Sequence, residues 1–319
     1  MSVHRRELVR YGAAATGARL FGLTRGTRAL YRALGNRFSQ EGHSEVNQVV
    51  MSQGAWIWKA AELTSPPIDT TSRVLELGTG WTHFYGLFLR LLYPAQIVMF
   101  DVQDCRQLDA LRTRFARVAD SVDLLPEEYH DRRDQVRDTA REIAAATSFS
   151  DLYSRMGCEY VVAESGSLAQ FGDGAFSMVL SVDVLEHVAR DSVDETIGDI
   201  TRVLAPGGIS AHQIGINDHL AAYAPGMPSK SYVGFPEATW RLLFENRLQY
   251  INRLQACEFA DKFAAAGLDL REATYHRDPD ALTGIRPAGR FRGFETAELE
   301  IAFAQFLHAK PQTHGHAPA

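Results

Sequence analysis

Apolar residues fall along the chain as short unbroken runs and helical periods, separated by turn-forming residues. Residues 44–64 (SEVNQVVMSQGAWIWKAAELT) carry a helical pattern that Ser65-Pro66-Pro67 stops. Val74–Leu77 predicts a buried strand, and Gly78-Thr79-Gly80 turns it into a helix over Thr82–Leu92, apolar at 84, 87, 88, 91 and 92. Gln96–Phe100 predicts a second strand closed by Asp101. Further strands are expected at Tyr160–Ala163, Ser177–Ser181, Ile209–Ile214, Leu268–Tyr275 and Ile301–Leu307, the last preceded by a short helix. Asp191–Leu204 reads as a helix ended by Ala205-Pro206-Gly207-Gly208. Strands alternating with helices in this way predict a doubly wound α/β fold with a mostly parallel sheet.

Two stretches interrupt the alternation. Within 105–157, Leu108, Leu111, Phe115, Val118, Val136, Ile143 and Ala144 recur at helical spacing between dense charges, which predicts two or three inserted helices. Such an insertion serves either as a cap or substrate wall or as a structural layer. Residues 218–234 read as loop, and 236–266 as one helical stretch rich in aromatics. The expected organisation is a basic helical segment over 1–64 and a domain over 65–310 with a lid region at 216–266. A disordered tail completes it over 311–319.

Charge changes this picture only at the start of the chain. The net charge of −6 argues against nucleic acid as a partner. Yet residues 1–40 hold eight arginines and one acid, Glu7, so that segment carries +7 and the remainder −13. Leu8, Tyr11, Leu20, Phe21, Leu30, Tyr31, Leu34 and Phe38 lie among those arginines at roughly helical spacing. This predicts either a basic amphipathic element that touches an anionic membrane surface or a helical lid on the domain. Cys105, Cys158 and Cys257 form no C-x-x-C pair, so neither a structural zinc site nor a disulfide framework is indicated. A cytoplasmic setting is expected, peripheral to the inner face of the membrane on the first reading.

The chemistry begins at the first strand. A glycine turn there lets a ligand approach the backbone, and Asp101, at the end of the next strand, suits a carboxylate that accepts hydrogen bonds from ribose hydroxyls. A dinucleotide fingerprint needs a third glycine where His83 stands. Glu76, inside the strand, suits a cofactor with a cationic amine and sulfonium better than a pyrophosphate.

Together, ELGTGW (76–81), FDVQD (100–104), FGDGAFSMVLSVDVLEHV (171–188) and LAPGG (204–208) resemble the class I S-adenosylmethionine-dependent methyltransferases, in order and spacing over residues 73–215. The resemblance implies a Rossmann-like, seven-stranded sheet and S-adenosyl-L-methionine as cofactor. It implies Glu76, Gly78, Thr79 and Gly80 on the methionine and ribose side, Asp101 on the ribose and Val102 on the adenine face. Glu164 and Ser165 would meet the adenine amino group, and Ser181, Val182 and Asp183 would lie beneath the methionine portion. More loosely, a helical insertion ending in GCEYVV, then VLEHV, HQIGINDH (212–219) and YINRLQACEF (250–259), resembles bacterial methyltransferases associated with surface polysaccharide biosynthesis.

That second resemblance implies O-methylation of a sugar hydroxyl in a surface glycan or its nucleotide- or lipid-linked precursor. A small-molecule methyltransferase and a non-catalytic cofactor-binding scaffold are the alternatives. A hydroxyl is a weak nucleophile, so a general base or an acidifying metal is expected near the carboxyl ends of the strands. His219, oriented by Asp218, is the leading base; His187 is the next. His212, Tyr250, Asn252 and Arg253 are the substrate-side candidates, with Trp240 and Arg241 in the same aromatic and polar cluster. Asp183, Asp218 and His219 lack the tight spacing of a ligand set, so no metal is expected.

Overall fold

The computed structural model describes residues 5–24, 26–27 and 45–312. Its strands are β1 (Arg73–Leu77), β2 (Gln96–Asp101), β3 (Cys158–Val162), β4 (Phe176–Val182), β5 (Leu204–Gly215), β6 (Asp269–Arg277) and β7 (Ile301–Ala309). They form one sheet in the order β3-β2-β1-β4-β5-β7-β6. The first five pair in parallel, and β7 runs antiparallel between β5 and β6. Strand order reverses between β1 and β4, so a crevice opens at their carboxyl ends.

One face of the sheet is covered by α2 (Gln48–Glu62), α3 (Phe84–Arg90), α4 (Leu108–Asp120), α5 (Arg133–Ala144) and α6 (Phe149–Met156). Asn47 caps α2 by accepting the Val50 N–H, and Ser148 caps α6 in the same way through Asp151. Trp58 of α2 stacks on Phe88 of α3 at 4.6 Å and donates to its carbonyl. Gly54 permits that contact, since a Cβ there would lie 2.4 Å from the Phe88 ring. Leu111, Phe115, Val118, Val136 and Ile143 of the inserted helices join this same core. The insertion therefore forms a structural layer, and its last helix also reaches the crevice.

The opposite face packs on α7 (Val193–Val203) and α9 (Ala256–Ala265). Between them the expected long helix over 236–266 is broken. Only α8 (Glu237–Leu243) forms before an irregular stretch, and a capping box between Gln255 and Glu258 then starts α9. Asn246 accepts the Leu248 and Gln249 N–H groups, and Arg253 adopts φ 62°, both incompatible with a continuing helix. β5 also departs from expectation by starting at Leu204. The Pro206-Gly207 turn is absorbed as an irregularity opposite β4, with Gly207 at φ 76°.

A third, smaller core carries the amino-terminal helix α1 (Arg5–Gly22). Tyr11 and Ala15 are fully buried against Leu220, Phe235 and Phe244, and the Tyr11 hydroxyl donates to the Asp218 carboxylate at 2.6 Å. Arg19 donates to the carbonyls of Arg241 and Leu242. Thus α1 packs on the region expected to act as a lid. No helix among the described residues is long and apolar enough to cross a membrane. The rest of the basic segment (1–4, 25 and 28–44) and most of the expected tail (313–319) lie outside the described residues.

Tyr11→Phe strands a buried carboxylate oxygen and is expected to cost about 1–3 kcal/mol. Thermal unfolding reads this directly, and an unchanged Tm would remove the bond as an anchor of α1.

Candidate functional site

The turn after β1 is held by its neighbour strand. Gly78 and Gly80 take φ 67° and 58°, and Gly78 donates to the Phe100 carbonyl. The Asp101 carboxylate accepts the Gly80 N–H at 3.0 Å and the Gln103 N–H at 3.1 Å, while burial raises its pKa. A Cβ on Gly80 would meet no atom within 4 Å, whereas one on Gly78 would strike Val184 at 2.4 Å. Open space therefore lies over Gly80. Beside it Val102 is 47% exposed, and the turn carrying exposed Glu164 and Ser165 comes close, since a Cβ on Gly166 would sit 3.6 Å from Val102.

Glu76 points beneath the start of α3. Burial raises its carboxyl to about 8, offset in part by the Tyr85 and Gly86 backbone amides, and its Oε2 has no geometrically sound hydrogen bond. His83 caps α3 in the left-handed conformation, φ 48°. Its Nδ1 meets the Thr79 hydroxyl at 2.8 Å and its Nε2 meets Tyr153 of α6 at 3.0 Å. Burial lowers its pKa to about 3, so this imidazole is neutral. In this way α6 is tied to the glycine turn.

Across the reversal in strand order, Asp183 follows β4 at φ 55°. It is open to solvent yet ringed by protein, which raises its pKa, and it accepts from Gln213 at 3.3 Å. Gln53 of α2 and Gln305 of β7 both donate to the Gln213 carbonyl oxygen, and Tyr85 donates to Gln53. This polar floor joins four elements and was not legible in the sequence.

Next to it stands a second unexpected residue, Glu186. It is 3% exposed, accepts the Gly215 N–H at 3.2 Å through Oε1, and leaves Oε2 unpartnered. Burial and the nearby Asp183 raise its pKa well above the usual range. Its neighbour His187 bonds through Nδ1 to the Tyr250 carbonyl at 2.7 Å. A carbonyl only accepts, so Nδ1 carries the proton and Nε2 the lone pair. The His219 ring lies 4.9 Å from that of His187, and burial lowers its pKa to about 4. One donor atom from each of Glu186, His187 and His219 falls within 4.8 Å of the others.

Several expected roles are corrected by this geometry. Asp218 does not orient His219: its carboxylate accepts from Tyr11 and from the Leu220 N–H, with burial raising its pKa to about 6. His212 is fully buried between the hydroxyls of Ser181 and Ser210, each 2.7 Å away, and stacks on Phe263. Neither it nor the Ser181 side chain reaches the crevice, because both point to the opposite face of the sheet. Val182 is half-buried at the end of β4. Asn252 donates to the Leu185 and Val188 carbonyls. Arg253 is buried among Tyr232, Trp240 and Phe291 and donates to the Tyr232 and Phe235 carbonyls. These two hold the fold together. Tyr250 remains at the crevice, with its hydroxyl accepting the Arg190 N–H.

His187 and Tyr250 line a cleft of about 590 Å³ together with Arg19, Arg241, Asn246 and Arg247. His219 lines an adjoining cleft of about 680 Å³ with Asn217 and Tyr223. The pair of imidazoles thus stands at the seam between the two. Only the fold brings Arg19 of α1 to the same cleft as His187.

Residues 129–211, about a quarter of the chain, match a family model described as a methyltransferase domain. No curated protein matches the sequence. Among solved structures, the chain is similar to Haemonchus contortus phosphoethanolamine N-methyltransferase 2 in complex with S-adenosyl-L-methionine. That likeness is 13% identical and covers 88% of this chain and 60% of that one, with a TM-score of 0.46. It is also similar to geranyl diphosphate C-methyltransferase from Streptomyces coelicolor, at 12% identity over 81% and 78% of the two chains with a TM-score of 0.45. At these scores neither bears on the acceptor or the mechanism.

The sheet order and the glycine turn are those of the class I methyltransferase fold, and residues 129–211 match a methyltransferase domain. S-Adenosyl-L-methionine is its cofactor.

The fit of α3 over Glu76 rests on Gly86, where a Cβ would lie 2.6 Å from Glu76 Oε2 and 2.9 Å from Ile97. Gly86→Ala is expected to destabilise the protein by about 1–3 kcal/mol through overpacking. A urea midpoint equal to that of the unaltered protein would show that α3 shifts freely.

Proposed function

We propose that this chain is an O-methyltransferase for a sugar hydroxyl in a surface glycan or its nucleotide- or lipid-linked precursor. The observation that carries the reading is the Glu186–His187–His219 cluster beside a cleft lined by Arg19, Arg241 and Arg247. Guanidinium groups suit the phosphate of an activated sugar, and imidazole nitrogens beside a carboxylate suit an acceptor whose proton must leave. Near the end of α1, exposed Leu20 and Leu23 flank the contact with exposed Leu242 and Leu243, which supports a lipid-facing approach.

When bound, the cofactor supplies an electrophilic methyl group on a sulfonium. Asp101 would hold the ribose hydroxyls over the open space at Gly80, and Val102 would cover the adenine. The Glu76 carboxylate, buried beneath the start of α3, would balance the charge of the ammonium group. Asp183, in the open part of the crevice, favours positive charge nearby. His187 and His219 stand beside the acceptor hydroxyl, where its proton is lost. The rest of the catalysis is alignment and exclusion of water by α2, α6 and α8.

Asp101→Ala is expected to weaken cofactor binding about 10- to 100-fold, as the loss of charge-assisted hydrogen bonds dictates. Because Glu76 titrates near 8 without ligand and a cation lowers that value, binding releases a proton. Affinity therefore rises with pH up to about 8 and then levels off. Calorimetry across pH would show the slope in the native protein and its loss in Glu76→Gln; a flat native profile would refute the pairing.

The function itself is tested by labelled methyl transfer into nucleotide sugars, lipid-linked glycans and small phenols, amines and carboxylates. His219→Ala should lower kcat by about 100-fold or more with little change in cofactor affinity. Incorporation into the small acceptors alone would overturn the sugar reading.

A further inference from the structure

We propose that Glu186, His187 and His219 form a binding site for a divalent first-row transition cation, and that the cation acidifies the acceptor hydroxyl. This deepens the sugar O-methyltransferase reading and rests on it for the acceptor alone; the site itself stands on geometry.

Three observations converge. Each of the three residues offers a donor atom within 4.8 Å of the others. The Glu186 side chain is 3% exposed, and its Oε2 has no hydrogen-bond partner. A buried carboxylate oxygen without a partner is costly, and a cation between it and the imidazoles removes that cost. Finally, His187 donates from Nδ1 to the Tyr250 carbonyl, which fixes the ring and turns the lone pair of Nε2 outward. Metal-binding histidines are held in this manner by a backbone carbonyl behind the ring.

Two imidazoles and one carboxylate form a donor set for zinc, manganese, iron(II) or cobalt rather than magnesium, which prefers oxygen ligands. Catalytic zinc sites use the same three ligands and leave a fourth position open. Here that position faces the seam between the clefts on either side of His187 and His219. Asp183 and Asn217 stand close by, since a Cβ on Gly215 would lie 2.7 Å from Glu186, 3.4 Å from Asn217 and 3.6 Å from Asp183. They are placed to accept hydrogen bonds from an acceptor's other hydroxyls. At the cation the acceptor O–H bond breaks, its electron pair stays on oxygen and the proton passes to water. The same polarisation lowers the pKa of zinc-bound water to about 7.

The test uses the full chain, stripped with a chelator and titrated with zinc chloride by calorimetry and with cobalt(II) by visible absorption. One equivalent of zinc should bind, and cobalt should give d–d bands of nitrogen–oxygen ligation. Glu186→Gln and His219→Ala should each weaken zinc binding at least about 100-fold. His187 is exposed, so His187→Ala retains the fold and should do the same. No saturable binding to the unaltered protein, or binding that all three variants keep, overturns the site. Zinc binding without transfer to any sugar would leave the site in place and defeat only the acceptor reading.

Discussion

Four carboxylates stand at the carboxyl ends of the parallel strands: Glu76 in β1, Asp101 in β2, and Asp183 and Glu186 just after β4. Burial raises the proton affinity of every one of them. Gathering negative charge in a low-dielectric crevice opposes folding, and backbone amides offset only part of the cost. Gly80 and Gln103 donate to Asp101, Gly215 donates to Glu186, and the start of α3 faces Glu76. What remains is a demand for positive charge. A sulfonium cofactor with an ammonium group, and a cation at the histidines, both answer it.

The layers around the sheet serve that crevice. On one side, Gly54 presses α2 onto α3 and Gly86 presses α3 onto the sheet, which brings Gln53 and Tyr85 to the polar floor. The insertion fills the same core and reaches the glycine turn through Tyr153 to His83, through Gln107 to the Trp81 carbonyl and through Arg114 to Thr82. On the other side, Asn252 and Arg253 lock the irregular stretch before α9, so that the Tyr250 carbonyl meets His187. A lysine holds the outer part together: Lys230, fully buried, donates to the Ile216 and Ile301 carbonyls and to Gln255. Burial lowers its pKa to about 7, while three acceptors favour the charged form.

The core strands and the cofactor turn were legible because they depend on local pattern. A buried strand must be apolar, a turn that admits a ligand must be glycine, and a ribose carboxylate must end the next strand. The substrate side was less so. His212, Asn252 and Arg253 look like ligand residues in one dimension, yet in the fold they satisfy buried partners. Asp218 and His219 are adjacent in the chain, but their side chains serve different neighbours. Glu186 sits between Leu185 and His187 with no local sign of its burial, and nothing in the chain order shows that Gly215 and His219 lie beside it.

By itself, the sequence determined the order of the strands, the glycine turn and Asp101, since each follows from a short periodicity or a single backbone requirement. Tertiary structure alone decided which polar residues are buried struts and which remain free to bind. That choice depends on partners from β4, β5, β7, α1 and the stretch before α9, which are separated by up to 207 residues and meet only when the sheet closes.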